Sequence, residues 1–276
     1  MKYDLTAPRD MPLSDLLAEK LSFLGRRALA SLIKDRQVKV NGCRVGDDVP
    51  LSEGDGVEVY TSAASPEIRV IYADDSVVIA DKPSHIDTMS LPSVLAAGYG
   101  ELYPVHRLDV NTTGLVALAR TPEAKAEMER EFKARTVKKK YKATVVGAPP
   151  KPRGVMKHWL VKDAKTGRVK AYDRPVRGGL ESEAAYELLE SDGELSKLML
   201  YPSTGRTHQL RVQLAATGMP ILGDGKYGDF AANKKYKAGE QRLRAVSLTF
   251  TAAAGAISHL RGKEFRTELS AKREKP

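Results

Sequence analysis

The sequence predicts an α+β protein in two parts: a small α/β N-terminal domain over residues 11–62, then a mixed, largely antiparallel sheet with flanking helices over residues 68–272. Three observations carry that expectation. Residues 11–60 read in the order helix, helix, hairpin. Residues 61–67, "TSAASPE", form a linker of Ser, Ala and Pro. Beyond it, strand-like segments far outnumber helical ones.

In chain order, "PLSDLLAEKLSFLG" spaces Leu13, Leu16, Leu17, Leu21 and Leu24 along one helical face, with Ser14 as N-cap and Gly25 as stop. "RRALASLIKDRQ" turns Leu29, Leu32 and Ile33 inward and leaves Arg26, Arg27, Lys34 and Arg36 toward solvent, so the two helices share a basic face. Asn41-Gly42 in "QVKVNGCRVG" is a hairpin signal, because both residues tolerate positive φ, and "LSEGDGVEVY" supplies a further strand. After the linker, "IRVIYADDSVVIADKP" gives two short strands around Asp74-Asp75, and "VHRLDVNTTGLVALAR" a turn and a buried strand from Leu115 to Ala119. "TPEAKAEMEREFKARTV" is a helix with Thr121 as N-cap, Pro122 at its first position, and Glu123 and Glu127 near the positive end of its dipole. "KKKYKATVVG", "SEAAYELLE", "LSKLMLYP" and "RAVSLTF" follow as strands, "RTHQLRVQLAATG" as a helix, and the tail "SAKREKP" is expected to fray.

Composition bounds the function. The chain has 276 residues, 42% of them hydrophobic, enough for a sizeable core, but no run approaches the roughly 18 apolar residues of a membrane span. Its polar start lacks the apolar stretch of a signal peptide, so the cytoplasm is the expected compartment. Cys43 is the only cysteine, which excludes an internal disulfide and a thiolate-rich metal site. The balance of 45 Lys and Arg against 35 Asp and Glu, net +10, suits a polyanion binder.

Two segments concentrate reactive residue types. In "HRLDVNTTG", Asp109 stands beside Arg107 and behind His106, ahead of the polar turn Thr112, Thr113, Gly114. It reads either as a structural ion pair or as a nucleophile or base at a sheet rim. In "YPSTGRTHQLRV", Arg206, His208, Gln209 and Arg211 arrive within six positions. Arg211 is placed to pair with a carboxylate across the site, whereas Arg206 and His208 suit a phosphate or a loop brace. Alternation in "KKKYKATVV" sets Tyr141 and Ala143 opposite Lys140 and Lys142, with Tyr141 either a core residue or a stacking platform for a base. "GDGKYG" resembles a phosphate loop only superficially, with Tyr227 where Ser or Thr would hold magnesium, and the five scattered histidines lack metal-ligand spacing, so no metal is expected.

Taken together, "H-R-L-D…T-T-G-L", "K-K-Y-K-A-T-V" and "T-G-R-T-H-Q-L-R-V", with "D-K-P" at 81–83 ahead of them, resemble the RluA-type pseudouridine synthases over nearly the whole chain. Residues 11–60 resemble the S-four-like RNA-binding module that many members carry, through "R-R-A-L-A-S-L-I" and "V-K-V-N-G". The resemblance implies isomerisation of uridine in RNA without cofactor, metal or nucleotide. Asp109 matches the family's essential aspartate, which either attacks the sugar or removes a proton from it. Arg107 matches the arginine that fills the space left by the flipped nucleotide. Tyr141 matches the tyrosine that contacts the base, Arg211 the arginine paired with the aspartate, and Leu243 the apolar residue near the target base. His106 reads as a structural or positioning residue. Thr113 stands where the family usually has serine, and Gln213, Met219 and Arg244 replace expected histidines at positions read as flanking the substrate cleft.

The leading expectation is therefore a monomeric RNA pseudouridine synthase acting on ribosomal RNA, with transfer RNA second and Arg26, Arg27, Lys34 and Arg36 gripping RNA. The competing readings are an RNA-binding protein without catalysis and a metal-dependent nuclease built on Asp109, Asp224 and Asp229, whose spacing is poorly patterned for metal.

Overall fold

The structure, a computed structural model, describes residues 1–63 and 67–267, leaving aside the side chains of Ser22 and Arg26. Most of the expected linker is described, but residues 64–66 and the tail beyond 267 lie outside it.

The N-terminal part is a four-stranded antiparallel sheet of β1 (Lys2–Thr6), β2 (Val38–Val40), β3 (Cys43–Val45) and β4 (Gly56–Tyr60), in the order β1-β4-β2-β3. Helices α1 (Leu13–Lys20) and α2 (Gly25–Lys34) bury Leu13, Leu16, Leu17, Leu29 and Ile33 with Val57 and Val59 of β4 in a core of their own. The β2–β3 hairpin turns at Asn41 (φ 48°) and Gly42 (φ 83°), the positive-φ pair that a tight hairpin needs. Three details differ from the sequence reading. Ser14 lies inside α1, whose N-cap is Pro12, because its N–H and hydroxyl both donate to the Asp48 carboxylate at 2.8 and 2.6 Å. Gly25 (φ 69°) opens α2 rather than closing α1, which stops at Lys20 and passes through a 3-10 turn, Ser22–Leu24. The sheet also takes in β1, which precedes residue 11.

The larger sheet contains β5 (Arg69–Ala73), β6 (Val77–Lys82), β7 (Thr113–Ala119), β8 (Val137–Val146), β9 (Arg153–Lys162), β10 (Val169–Tyr172), β11 (Leu180–Ser191), β12 (Leu195–Pro202) and β13 (Leu243–Phe250). Its order is β10-β9-β11-β12-β8-β13-β7-β6-β5, with β14 (Glu264–Arg266) also paired to β13. Its pairings are antiparallel save β7 with β13, so the mixed, largely antiparallel expectation holds. Both faces are covered at its centre. Val78, Ala80, Val116 and Leu118 enter one core with Leu91, Leu95, Leu210 and Leu214 of helices α3 (Leu91–Tyr99) and α5 (Gln209–Ala216), whereas Val77, Ile79, Leu115 and Ala117 enter a second with Met128 of α4 (Pro122–Ala134). That double burial is why β7 reads as a continuous apolar run instead of an alternating one.

Thr121 caps α4 as expected, accepting from the Ala124 N–H at 3.1 Å. The sequence reading did not anticipate α3, β9, β10 or the six-residue α6 (Phe230–Lys235). "LPSVLAAGY" contains Pro and Gly and lacks an amphipathic stripe, so its helix rests on burial rather than on propensity. No helix among the described residues is long and apolar enough to cross a membrane.

Candidate active site

The segment bearing Asp109 is irregular backbone fastened from several sides. Lys82, at the end of β6 and fully buried, donates from Nζ to the carbonyls of Pro83, Ile86 and Val110 at 3.0, 2.9 and 2.9 Å. Burial pushes its pKa down to about 8, against the pull of Asp87 and Asp109. Thr88 Oγ1 accepts from the Leu108 N–H at 3.0 Å, and the Thr112 N–H donates to the Asp109 carbonyl at 2.9 Å, closing the turn. Gly114 (φ 108°) then lets β7 run against β13: a Cβ there would stand 2.1 Å from the Ala245 carbonyl oxygen.

His106 takes its place in this fastening. Its Nε2 accepts from the Ala117 N–H at 2.9 Å and its ring stacks on Phe132 with centroids 4.3 Å apart, which places the proton on Nδ1. Burial, helped by the Lys139 ammonium, pushes its pKa down to about 3, so the ring is neutral and works as a strut.

Asp109 faces Arg211 across the sheet. Arg211 Nη1 donates to Asp109 Oδ2 at 2.9 Å, while its Nε and Nη2 donate to the two oxygens of Asp224 at 2.7 and 2.9 Å. One guanidinium thus bridges two carboxylates of different character. Asp224 is fully buried and also accepts the N–H groups of Lys226 and Tyr227 at 2.8 and 3.1 Å, whereas Asp109 keeps a fifth of its side chain exposed. Burial opposes charge on Arg211 and Asp224, but their mutual bonds prevail, raising the arginine's pKa and lowering that of Asp224. Asp109 has no ion pair with its neighbour Arg107, which rules out the local structural pair considered from sequence.

These groups open on a cleft of ≈ 730 Å³, within the roughly 300–1,000 Å³ typical of sites that enclose a small organic group. Asp109, Tyr141, Arg211, Arg107, Arg206, His208 and Leu243 all line it, although they come from four separate stretches of chain. Tyr141 lies on the cleft-facing side of β8 with Ala143, as alternation requires, and burial followed by the Asp109 charge raises its pKa, keeping the phenol protonated. His208 (φ 54°) caps α5, shares a 2.9 Å hydrogen bond with the Tyr227 hydroxyl through Nδ1, and holds Nε2 4.0 Å from Asp109. The rim carries Arg107, Lys133, Arg135, Lys138 and Arg206, with Lys139 less exposed in the lining, and Asp109 is the only carboxylate in the lining among the described residues.

Arg27, Lys34 and Arg36 are not in this cleft: they are exposed on the N-terminal part, and the Arg26 side chain lies outside the described residues. Nor do Gln213, Met219 and Arg244 flank the cleft as expected. Gln213 is fully buried and donates to the carbonyls of Met156 and Ser182 at 2.9 and 3.1 Å, Met219 packs in the core, and Arg244 pairs with Asp81 beneath the sheet at 2.5 Å. Helical and strand periodicity turns Gln213 and Arg244 away while Arg211 and Leu243 face the cleft, and Met219 lies in the irregular segment after α5. Four residues to which the synthase reading of the sequence gave no role matter here: Lys82, Lys139, Asp224 and Tyr227. Alternation by two from Tyr141 points to Lys139, but Asp224, thirteen residues from Arg211, has no local signal.

A carboxylate braced by an arginine beside a tyrosine, in a cleft rimmed with cations, suits an enzyme with a polyanionic substrate. The family model for RNA pseudouridylate synthase matches residues 76–216. An uncharacterised RNA pseudouridine synthase of Mycobacterium bovis is 32% identical over 283 residues, covering 88% of this chain and 90% of that one. The dual-specificity RNA pseudouridine synthase RluA of Escherichia coli K12 is 32% identical over 216 residues, covering 74% and 93%. Among solved structures, human RNA pseudouridylate synthase domain containing 4 is similar with a TM-score of 0.61 at 26% identity, covering 74% of this chain and 89% of that one. Human RNA pseudouridylate synthase domain containing 1 shares the fold with a TM-score of 0.65 at 24% identity, covering 76% and 86%. The chain belongs to the RluA-type RNA pseudouridine synthases, a family of isomerases that modify RNA.

Proposed function

We propose that the protein converts specific uridines of structured RNA to pseudouridine, ribosomal RNA of the large subunit being the first expectation and transfer RNA the second, with Asp109 as the essential carboxylate. The observation that carries this is the placement of Asp109: one carboxylate, oriented by Arg211, in a cation-rimmed cleft that also holds Tyr141. The reaction breaks the bond from N1 of uracil to the ribose, turns the base, joins C5 to the sugar and releases the C5 proton. Asp109 serves either as nucleophile toward the sugar or as base toward its proton, and both roles need the position that Arg211 maintains. Tyr141 meets the base with a protonated hydroxyl, and Leu243 supplies an apolar wall. Arg107, exposed and without an ion pair among the described residues, fits the space vacated by a flipped nucleotide.

In this reading residues 11–62 form an S-four-like RNA-binding domain whose exposed Arg27, Lys34 and Arg36 contact phosphates, residues 68–272 form the catalytic domain, and the protein works as a cytoplasmic monomer. Helix, helix and hairpin in that order support the first assignment. The dual-specificity relative supports offering both RNA classes in a test. Incubated in EDTA with ribosomal and transfer RNA, the parent should yield mapped pseudouridine and Asp109→Asn none. RNA binding without product from the parent on every RNA would overturn the assignment, and cleavage restored by magnesium would favour the nuclease instead.

A further inference from the structure

Lys139 is an outlier among the cleft's cations. Arg107, Lys133, Arg135, Lys138 and Arg206 are exposed at the rim, where water solvates them. Lys139 is two residues before Tyr141 on β8, so it shares the inward face with Tyr141, Ala143 and Val145, while Lys140 and Lys142 lie outside the cleft. Its ammonium reaches the loop before α5: a Cβ on Gly205 would stand 3.3 Å from Nζ, so the absence of a side chain at 205 makes the room it occupies. Both residues line the cleft that holds Asp109. Lys140 next along has Glu264 at 3.0 Å, but Lys139 has no ion pair or hydrogen bond among the described residues. Burial alone displaces its pKa, downward, with no carboxylate acting against it.

A partly buried cation without a counter-ion is costly in a folded protein, and in a cleft such a group is a candidate to bind a ligand. Two groups near it in the lining narrow the ligand. His106 is neutral and its Nε2 is engaged by the Ala117 N–H, and Gly205 offers only backbone, so the space around the ammonium takes an anion with oxygen acceptors and no cation of its own. We propose that Lys139 is a phosphate-binding residue of the active-site cleft, which holds a backbone phosphodiester next to the nucleotide seated between Asp109 and Tyr141. This deepens the reading of the cleft as an RNA site and rests on it. Lys139 then differs in kind from Arg27, Lys34 and Arg36, which would hold RNA at a distance from the reacting base. Because the phosphodiester is bound alike before and during reaction, the contact acts on binding rather than on the chemical step.

The test compares the parent with Lys139→Met, and with Lys151→Met as a matched loss of one exposed charge. The affinity of a uridine-containing RNA stem-loop is measured from 50 to 300 mM KCl, together with KM, kcat and the thermal midpoint. Lys139→Met should flatten the slope of log K against log salt by roughly 0.7–0.9 and weaken binding by about tenfold at fixed salt, the effect of losing one charge-assisted phosphate contact. KM should rise with kcat nearly unchanged, and the thermal midpoint should stay level or rise, because an uncompensated cation has been removed. Inorganic phosphate should compete with RNA more weakly for the variant than for the parent. A slope and KM equal to those of the parent would overturn the proposal, as would equal effects of Lys151→Met or a loss of binding that tracks a lowered midpoint. If the parent binds RNA with the steeper slope yet yields no pseudouridine, the phosphate site stands and the synthase reading falls.

Discussion

The shared guanidinium makes the sharpest prediction, because Asp224 and Asp109 should fail in opposite ways. Asp224→Asn keeps the shape of the side chain and an oxygen for the Lys226 and Tyr227 N–H groups, but turns an amide toward Arg211 and removes the charge that two bonds of 2.7 and 2.9 Å neutralise. Arg211 is 6% exposed, so it is left largely desolvated with Asp109 as its one remaining carboxylate partner. Breaking one side of a buried pair typically costs about 3–5 kcal/mol. Asp109→Asn removes a single bond to an arginine that retains Asp224, at a position open to water, and should cost about 1 kcal/mol. Urea unfolding followed by the fluorescence of Trp159, the only tryptophan, measures both. Asp109→Asn should therefore fold well and make no product, whereas Asp224→Asn should be strongly destabilised and, where still folded, lose roughly a hundredfold in kcat through misplacement of Asp109. A stability for Asp224→Asn within about 1 kcal/mol of the parent, or a larger loss for Asp109→Asn, would refute the division between a structural and a reacting carboxylate.

Three further outcomes are expected. Gly114→Ala, at φ 108° with its new Cβ 2.1 Å from the Ala245 carbonyl, should cost about 4 kcal/mol or more or abolish soluble expression; a parent-like unfolding midpoint would contradict the close approach of β7 and β13. The pKa of His106 falls from 6.5 to about 3 on folding, so below pH 6.5 the unfolded chain binds a proton that the folded protein refuses, and stability falls as the pH drops from 6.5 toward 3. Between pH 7 and 5 the parent should lose about 2 kcal/mol more than His106→Gln, which keeps an acceptor for Ala117, and parallel curves would remove the strut role. Replacing Arg27, Lys34 and Arg36 together by Gln should lower the salt slope of RNA binding by roughly 2 while leaving the unfolding midpoint in place; an unchanged slope would remove the N-terminal part from RNA recognition.

Much of this protein was legible in its sequence because the signals are local. The Asn41-Gly42 hairpin, the Thr121 cap, the doubly buried run of β7 and the alternation of β8 each follow from dihedral preference or periodicity within a few residues. Asp109, Tyr141 and Arg211 stood out as candidates through their local motifs, and the resemblance to the RluA-type family implied their roles. Helix α3 and strands β9 and β10 were illegible, since burial against distant partners stabilises what local propensity leaves open. Ser14 looked like a cap because Asp48, thirty-four residues away in sequence, was not part of the local pattern.

The sequence by itself determined most of the strands and helices, which family the chain joins and which side chains are candidates for its chemistry. Only the tertiary structure decided their pairing. It turned Asp109 from Arg107 to Arg211, brought Asp224 of the "GDGKYG" segment into the same buried cluster, made His106 a neutral strut, and left Lys139 without a counter-ion among the described residues. The physical reason is range: backbone preference and amphipathic period act over a few residues, whereas hydrogen bonds between charged groups and the cost of burying them depend on neighbours that only the closed sheet brings together.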